Sequence, residues 1–150
     1  MSLAALLVDA FVAGESAGTW SAPETPATTS ALSDEVSATL LSVSCSTGGN
    51  CGAGGSYEQS AGPSQPIVVS EVGGTWGSAG QVPGVSSLNV GHSGGTSAIS
   101  QVDSISCTDT GDCSIGGFYT DANGLGQDFV DSQVSGTWDT ACLLYTSRCV

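Results

Sequence analysis

Tryptophan occurs three times in this chain of 150 residues, and each time it closes a Gly-Thr-Trp triplet, at Trp20, Trp76 and Trp138. One Cys-x5-Cys pair lies between successive triplets, Cys45 with Cys51 and then Cys107 with Cys113, and each second cysteine stands 25 residues before the next tryptophan. The period is therefore 56 and then 62 residues, with the difference confined to the stretch between Trp76 and Cys107. Self-similarity at such a period means stacked supersecondary units that bury their faces on one another, and it constrains the fold more than any local motif does.

Aligned on those spacings, Ser44-Cys45 to Cys51 lies over Ser106-Cys107 to Cys113, and Gly54-Gly55-Ser56-Tyr57 lies over Gly116-Gly117-Phe118-Tyr119. Gln65 to Ser70 lies over Gln127 to Ser132, and Asp9 to Glu15 occupies the same places one unit earlier. Runs of β-branched and aromatic residues bounded by Gly, Ser, Asn, Asp and Pro read as short strands, and no segment has a helical period. The expected strands are 40–45, 51–58, 66–72 and 75–80 in one unit, with 102–107, 113–121, 128–134 and 137–141 in the next. Apolar residues on both faces suit a sheet packed between two others. The expected fold is all-β, with tandem four-stranded antiparallel units forming an incomplete β-propeller-like array.

The pattern Ser-Cys-x5-Cys, Gly-Gly-x-Tyr and Gly-Thr-Trp, from residue 9 to about 141, resembles the tandem repeats of secreted bacterial proteins of unassigned function. That resemblance implies a β-propeller and says little about activity. A partial similarity to the Asp-box hairpin of sialidase-type propellers ends at Gly73-Gly74-Thr75-Trp76, because Glu71 and Gln133 stand at its Asp place and Val69 and Asp131 at its Ser place.

On this register, residues 1–20 are the end of a truncated unit, 21–76 and 77–141 are two units, and 142–150 are a tail outside the repeat. One back-translation of Cys142 to Val150 is an inverted repeat resembling two transposon-end sequencing adapters joined head to head, followed by a stop. Trp138 is then expected to end the last native strand, with the tail packing on nothing specific. Leu3 to Gly14 is apolar, but Asp9 interrupts it and no basic residue precedes it, so it reads as part of a unit; a cleavable signal is the alternative. The chain is expected to be a fragment of a longer array that is poorly stable or self-associating in isolation, since about three units are needed to bury their faces.

Fourteen acidic residues face a single basic one, Arg148, for a net charge of −13, and Arg148 lies in the tail. A chain without cations in its repeat cannot neutralise phosphates, which argues against nucleic acid and against anionic membrane surfaces, and no run is long enough for a membrane-spanning helix.

Two cysteines flanking a five-residue hairpin loop can face each other across a strand pair, so Cys45 with Cys51 and Cys107 with Cys113 read as disulfides, with free thiols or a shared metal as the other readings. Disulfides place the chain outside the cell or on its surface. The one histidine, His92, lies in a glycine-rich insertion and reads as solvated. Asp121, Asn123 and Asp128 are the weak candidates for calcium, against a plain Asn-Gly turn. Asp109 and Asp112 in the second cysteine loop lack matching ligands in the first. The tryptophans and tyrosines read as unit packing rather than as a sugar platform.

No catalytic residue and no cofactor is indicated. The expected function is that of an exported β-propeller-type fragment serving as a binding or surface scaffold for an undetermined protein or glycan. The rival reading is part of a sialidase- or glycosidase-like propeller enzyme that processes glycans.

Overall fold

The computed structural model describes residues 10–27, 32, 35–47, 49–91, 98–108 and 112–144. The strands are β1 (Glu15–Ser16), β2 (Thr19–Trp20), β3 (Glu35–Cys45), β4 (Cys51–Gln59), β5 (Gln65–Val72), β6 (Thr75–Trp76), β7 (Gly80–Gln81), β8 (Ser100–Cys107), β9 (Cys113–Thr120), β10 (Gly126–Val134), β11 (Thr137–Trp138) and β12 (Cys142–Leu143). They form two antiparallel sheets, in the orders β3-β4-β5-β6 and β8-β9-β10-β11, preceded by the β1-β2 pair. The all-β repeat is as the sequence spacing implies.

The Gly-Thr-Trp triplet is the exit of a two-residue hairpin turn. Its two central residues both have positive φ: 51° and 80° at Ala17 and Gly18, 58° and 81° at Gly73 and Gly74, 51° and 80° at Ser135 and Gly136. Turns of this hand match the twist of the flanking strands, and glycine at the second position enters that region without a Cβ clash. Threonine and tryptophan then begin the return strand, with Trp76 opposite Glu71 and Trp138 opposite Gln133.

The fourth strand of each sheet is broken by a one-residue irregularity. β6 and β7 both pair with β5, and β11 and β12 both pair with β10. This corrects the expectation that the tail packs on nothing specific. Cys142 and Leu143 pair with Val130 and Phe129 as Gly80 and Gln81 pair with Val68 and Ile67. The Leu144 N–H donates to the Asp128 carbonyl at 3.2 Å, where the Val82 N–H donates to Pro66 at 3.1 Å. Leu143 packs against the core, and Cys142 is itself disulfide-bonded. Edge pairing is made by the backbone, so residues outside the repeat can still occupy a strand. Residues 145–150, like 1–9, lie outside the described residues.

The first strand of each sheet carries a bulge, between Leu40 and Ser42 and between Val102 and Ser104. The bulge drives the first strand's backbone toward its neighbour, and this accounts for the second glycine of Gly-Gly-x-Tyr. A Cβ on Gly55 would lie 1.9 Å from the Thr39 carbonyl oxygen, and one on Gly117 would lie 2.1 Å from that of Gln101.

Stacking of the two sheets is asymmetric. The second sheet presents an apolar face: Val102, Ile105, Cys113, Ile115, Tyr119 and Phe129 are buried in one core with Val68 of the first sheet. The first sheet meets it with small residues. A Cβ on Gly54 would lie 2.5 Å from Val102 Cγ1, and one on Gly52 would lie 2.7 Å from Ile105 Cδ1.

Hydroxyls complete the joint. Ile105 and Cys107 sit at non-hydrogen-bonded positions of β8, so their N–H groups point off the sheet edge, where an unpaired amide is costly. The Ile105 N–H donates to Ser42 Oγ at 3.3 Å and the Cys107 N–H to Ser44 Oγ at 3.0 Å. The linkers are tied as well, with the Ala79 N–H on the Ala27 carbonyl at 2.7 Å and the Ala141 N–H on Pro83 at 3.1 Å.

Gly54→Val is expected to destabilise the chain by about 1–3 kcal/mol through overpacking, and Ser42→Ala by about 1 kcal/mol through a lost amide partner. Gly116→Ala, whose Cβ would meet only Ser104 Oγ at 3.3 Å, should be near neutral. Denaturant melts of the three variants check this, and equal losses for Gly54→Val and Gly116→Ala would contradict the asymmetric joint.

Candidate functional site

The four repeat cysteines form two disulfides, Cys45 with Cys51 and Cys107 with Cys113. Each pair is directly opposed across a hairpin. The N–H groups of Ser46 and Thr108 bond the carbonyls of Asn50 and Asp112 at 2.8 Å in both loops, which places the cysteines at the adjoining non-hydrogen-bonded positions. Their Cα atoms are 4.0 Å apart in both pairs, closer than the usual range of roughly 4.4–6.8 Å, because non-hydrogen-bonded partners approach most closely in an antiparallel ladder.

The cysteine loop also holds the distant turn. Asn50 Oδ1 accepts from the Gly73 N–H at 3.0 Å, and Asp112 Oδ1 accepts from the Ser135 N–H at 2.7 Å. Asp112 is thus a structural cap, while Asp109 and His92 lie outside the described residues.

At the calcium candidate, the Asp121 carboxylate is spent on its own turn. Oδ1 accepts from the N–H of Asn123 at 2.8 Å and of Leu125 at 3.0 Å, and Oδ2 accepts from Gln127 Nε2 at 3.0 Å. The Leu125 bond foremost holds its carboxyl below the usual range. Asp128 lies on β10, where its carbonyl receives Leu144. No group of three or more His, Cys, Asp or Glu able to hold a metal occurs among the described residues.

The aromatic residues divide by position. Tyr57 and Tyr119 are buried, Trp76 and Trp138 pack partly against the two cores, and Trp20 is 70 % exposed.

Of the buried polar residues, two matter most here, and the sequence pattern marks neither as a site. Asn89 is the tie between units: its Nδ2 donates to the Ser64 carbonyl at 2.6 Å, and its Oδ1 accepts from the Thr120 N–H at 3.0 Å. A lone asparagine in a glycine-rich insertion gave no signal of this.

Asp131 is the other. It is 4 % exposed and faces the first sheet, at the place Val69 holds one unit earlier. Its Oδ1 accepts from the Ser132 N–H at 2.7 Å, while Oδ2 and the nearby Gln133 Oε1 are buried and accept nothing among the described residues. Gln133 Nε2 donates across the joint to Ser70 Oγ at 3.1 Å. Burial pushes the Asp131 carboxyl up to about 6, against the Ser132 bond and with a smaller push from Asp139.

A cavity of about 240 Å³ opens between residues 11–13, residues 40–43, Ala53 and Trp76. Its lining has no ionisable side chain, and the hydroxyl of Ser42 accepts from the Ile105 N–H in the joint, so the cavity can receive apolar chain or ligand and offers no acid or base. No protein-family model matches the chain, and no curated protein matches it in sequence.

Asp131 yields a pH signature. Its folded carboxyl holds a proton at pH values where the unfolded one has lost it, so stability is greatest below about pH 4 at this site and falls as pH rises to about 6. Asp131→Asn should raise stability by about 1–3 kcal/mol at pH 7.5 and leave it little changed at pH 4. Melts of both proteins at the two pH values check this, and a gain independent of pH would contradict it.

Proposed function

We propose that the chain belongs to an exported β-propeller-type repeat protein that acts as a binding or surface scaffold and carries out no catalysis. The observation that carries this reading is where the recurring residues go. Cysteines staple the hairpins, serines cap strand-edge amides, Asn50 and Asp112 hold turns, and Tyr57 and Tyr119 fill cores. Each of these recurring residues is engaged in holding the fold.

The disulfides support an extracellular or cell-surface location, since such bonds persist in oxidising compartments. Most glycosidases set paired carboxylates about 5–10 Å apart at an open cleft, and sialidases use a tyrosine nucleophile there; Tyr57 and Tyr119 are buried. The strongly perturbed carboxyl, Asp131, is instead sealed between sheets.

The disulfide-intact protein, assayed on fluorogenic glycosides that include sialosides, should give no turnover above blank, and an array of surface glycans and proteins should show saturable binding. Turnover that co-purifies with the chain would overturn the scaffold reading.

A further inference from the structure

One buried carboxyl and one buried carboxamide share the inner face of β10. Phe129, Asp131 and Gln133 alternate along it, none more than 4 % exposed. Neighbours on one face of a strand stand about 7 Å apart at Cα, a gap that an aspartyl and a glutaminyl side chain close between them. Asp131 Oδ2 and Gln133 Oε1 are both buried and accept from no donor among the described residues. The rest of each group is committed, since Asp131 Oδ1 takes the Ser132 N–H and Gln133 Nε2 donates to Ser70 Oγ of the first sheet.

Two acceptors set side by side in a dry joint repel each other, and each costs free energy while it lacks a donor. One hydrogen between them removes both penalties. A neutral carboxyl is a donor as well as an acceptor, so a proton on Asp131 Oδ2 serves the Gln133 oxygen. Calcium would ask for about six to eight oxygens where this pair brings two.

The ionisable groups around the pair are all acids. Asp139, just beyond β11, is exposed and adds a small upward push to Asp131. On the second sheet, Asp112 holds the Ser135 N–H, Asp128 lies on the outer face of β10, Asp103 on β8 is exposed, and β9 brings only Tyr119, at the far end of the core. On the first sheet, Val68 and Ser70 face the joint, alternation turns Glu71 to the other face beside Glu24, and Glu58 is exposed near the end of β4. The linker 77–91 carries no charged residue. None of these supplies a positive charge to hold an ionised Asp131.

We infer that Asp131, Gln133 and Ser70 form an acid-closed latch between the two sheets. With its proton in place, Asp131 Oδ2–H donates to Gln133 Oε1 and the same carboxamide donates to Ser70 Oγ, so one chain of hydrogen bonds crosses the joint. When the proton passes to water, an acceptor faces an acceptor and a charge stands between the sheets. Hydrating that charge requires the sheets to part.

The sign follows from the two states of the joint. Opened to water, Asp131 returns to the ordinary carboxyl value of 3.8, whereas the closed joint holds it at about 6. Closure is therefore strongest below about pH 4 and weakens as pH rises through 6. The latch is particular to this joint, because Val69 and Glu71 stand at the places of Asp131 and Gln133 in the first sheet. It goes beyond the scaffold reading, since it sets how tightly one unit holds the next and needs no ligand.

The test is a titration of the full chain, labelled with carbon-13 and nitrogen-15, followed by magnetic resonance. The Asp131 carboxyl carbon and the Gln133 side-chain amide should titrate together with a midpoint near pH 6. The Ile105 and Cys107 amides, which Ser42 and Ser44 cap across the joint, report its opening. Corrected for intrinsic pH dependence, their hydrogen exchange should quicken about tenfold between pH 5 and 7.5, while amides within the β4–β5 ladder stay level. Asp131→Asn, whose amide can still donate to Gln133, should abolish that pH response, and Ser70→Ala should speed exchange at Ile105 and Cys107 about fivefold at pH 5. A midpoint below about pH 4.5, titration of Asp131 without Gln133, level exchange at Ile105 and Cys107, a pH response surviving in Asp131→Asn, no effect of Ser70→Ala, or a midpoint displaced by millimolar calcium chloride would each overturn the latch. None of these readouts involves turnover or a bound ligand, so failure of the latch is distinguishable from failure of the scaffold reading.

Discussion

The structure depends on the close approach of a glycine surface to a branched apolar one. Gly52 and Gly54 let Ile105 and Val102 settle against the backbone of β4, and the rest of the joint follows from that distance. Only at such separation can the Ser42 and Ser44 hydroxyls reach amides on the next strand edge. A side chain at either glycine would hold the sheets apart and leave those amides dry and unpaired, so packing and hydrogen bonding fail together.

The period, the strand order and the disulfide hairpins were legible because rare residues mark them: tryptophan after the turn, cysteine at the closest-approach position, paired glycines on the second strand. What each glycine does was not legible. Gly54 and Gly55 are adjacent and look equivalent, yet one makes room for another sheet and the other for a bulge in its own. Asp131 was hidden for a related reason, since it sits in an alternating strand where only the facing sheet decides that it is buried. β12 was missed because backbone pairing leaves no mark in side-chain periodicity.

Acidity also takes on a specific meaning. With 14 carboxylates and one cation in the sequence, carboxylates must be solvated, capped by amides or protonated. Asp112 and Asp121 take backbone N–H donors, whereas Asp131 has one such donor and one oxygen without a partner among the described residues. Asp112 and Asp121 thus each hold a turn, with Asp131 in the sheet interior as the costly exception.

One substitution between the two sheets carries a further consequence. Ser114 stands where the preceding sheet has Gly52, and Ser104, Ser106 and Gly116 otherwise keep the pattern of Ser42, Ser44 and Gly54. The surface behind the second sheet is therefore a lock cut one atom group shallower: a unit bearing isoleucine at the place of Ile105 fits behind the first sheet, and behind the second only a shorter side chain would seat. Units of this kind are not interchangeable beads. Glycine at position 52 admits Ile105 against the first sheet, and serine at position 114 would exclude such a side chain from the equivalent place on the second.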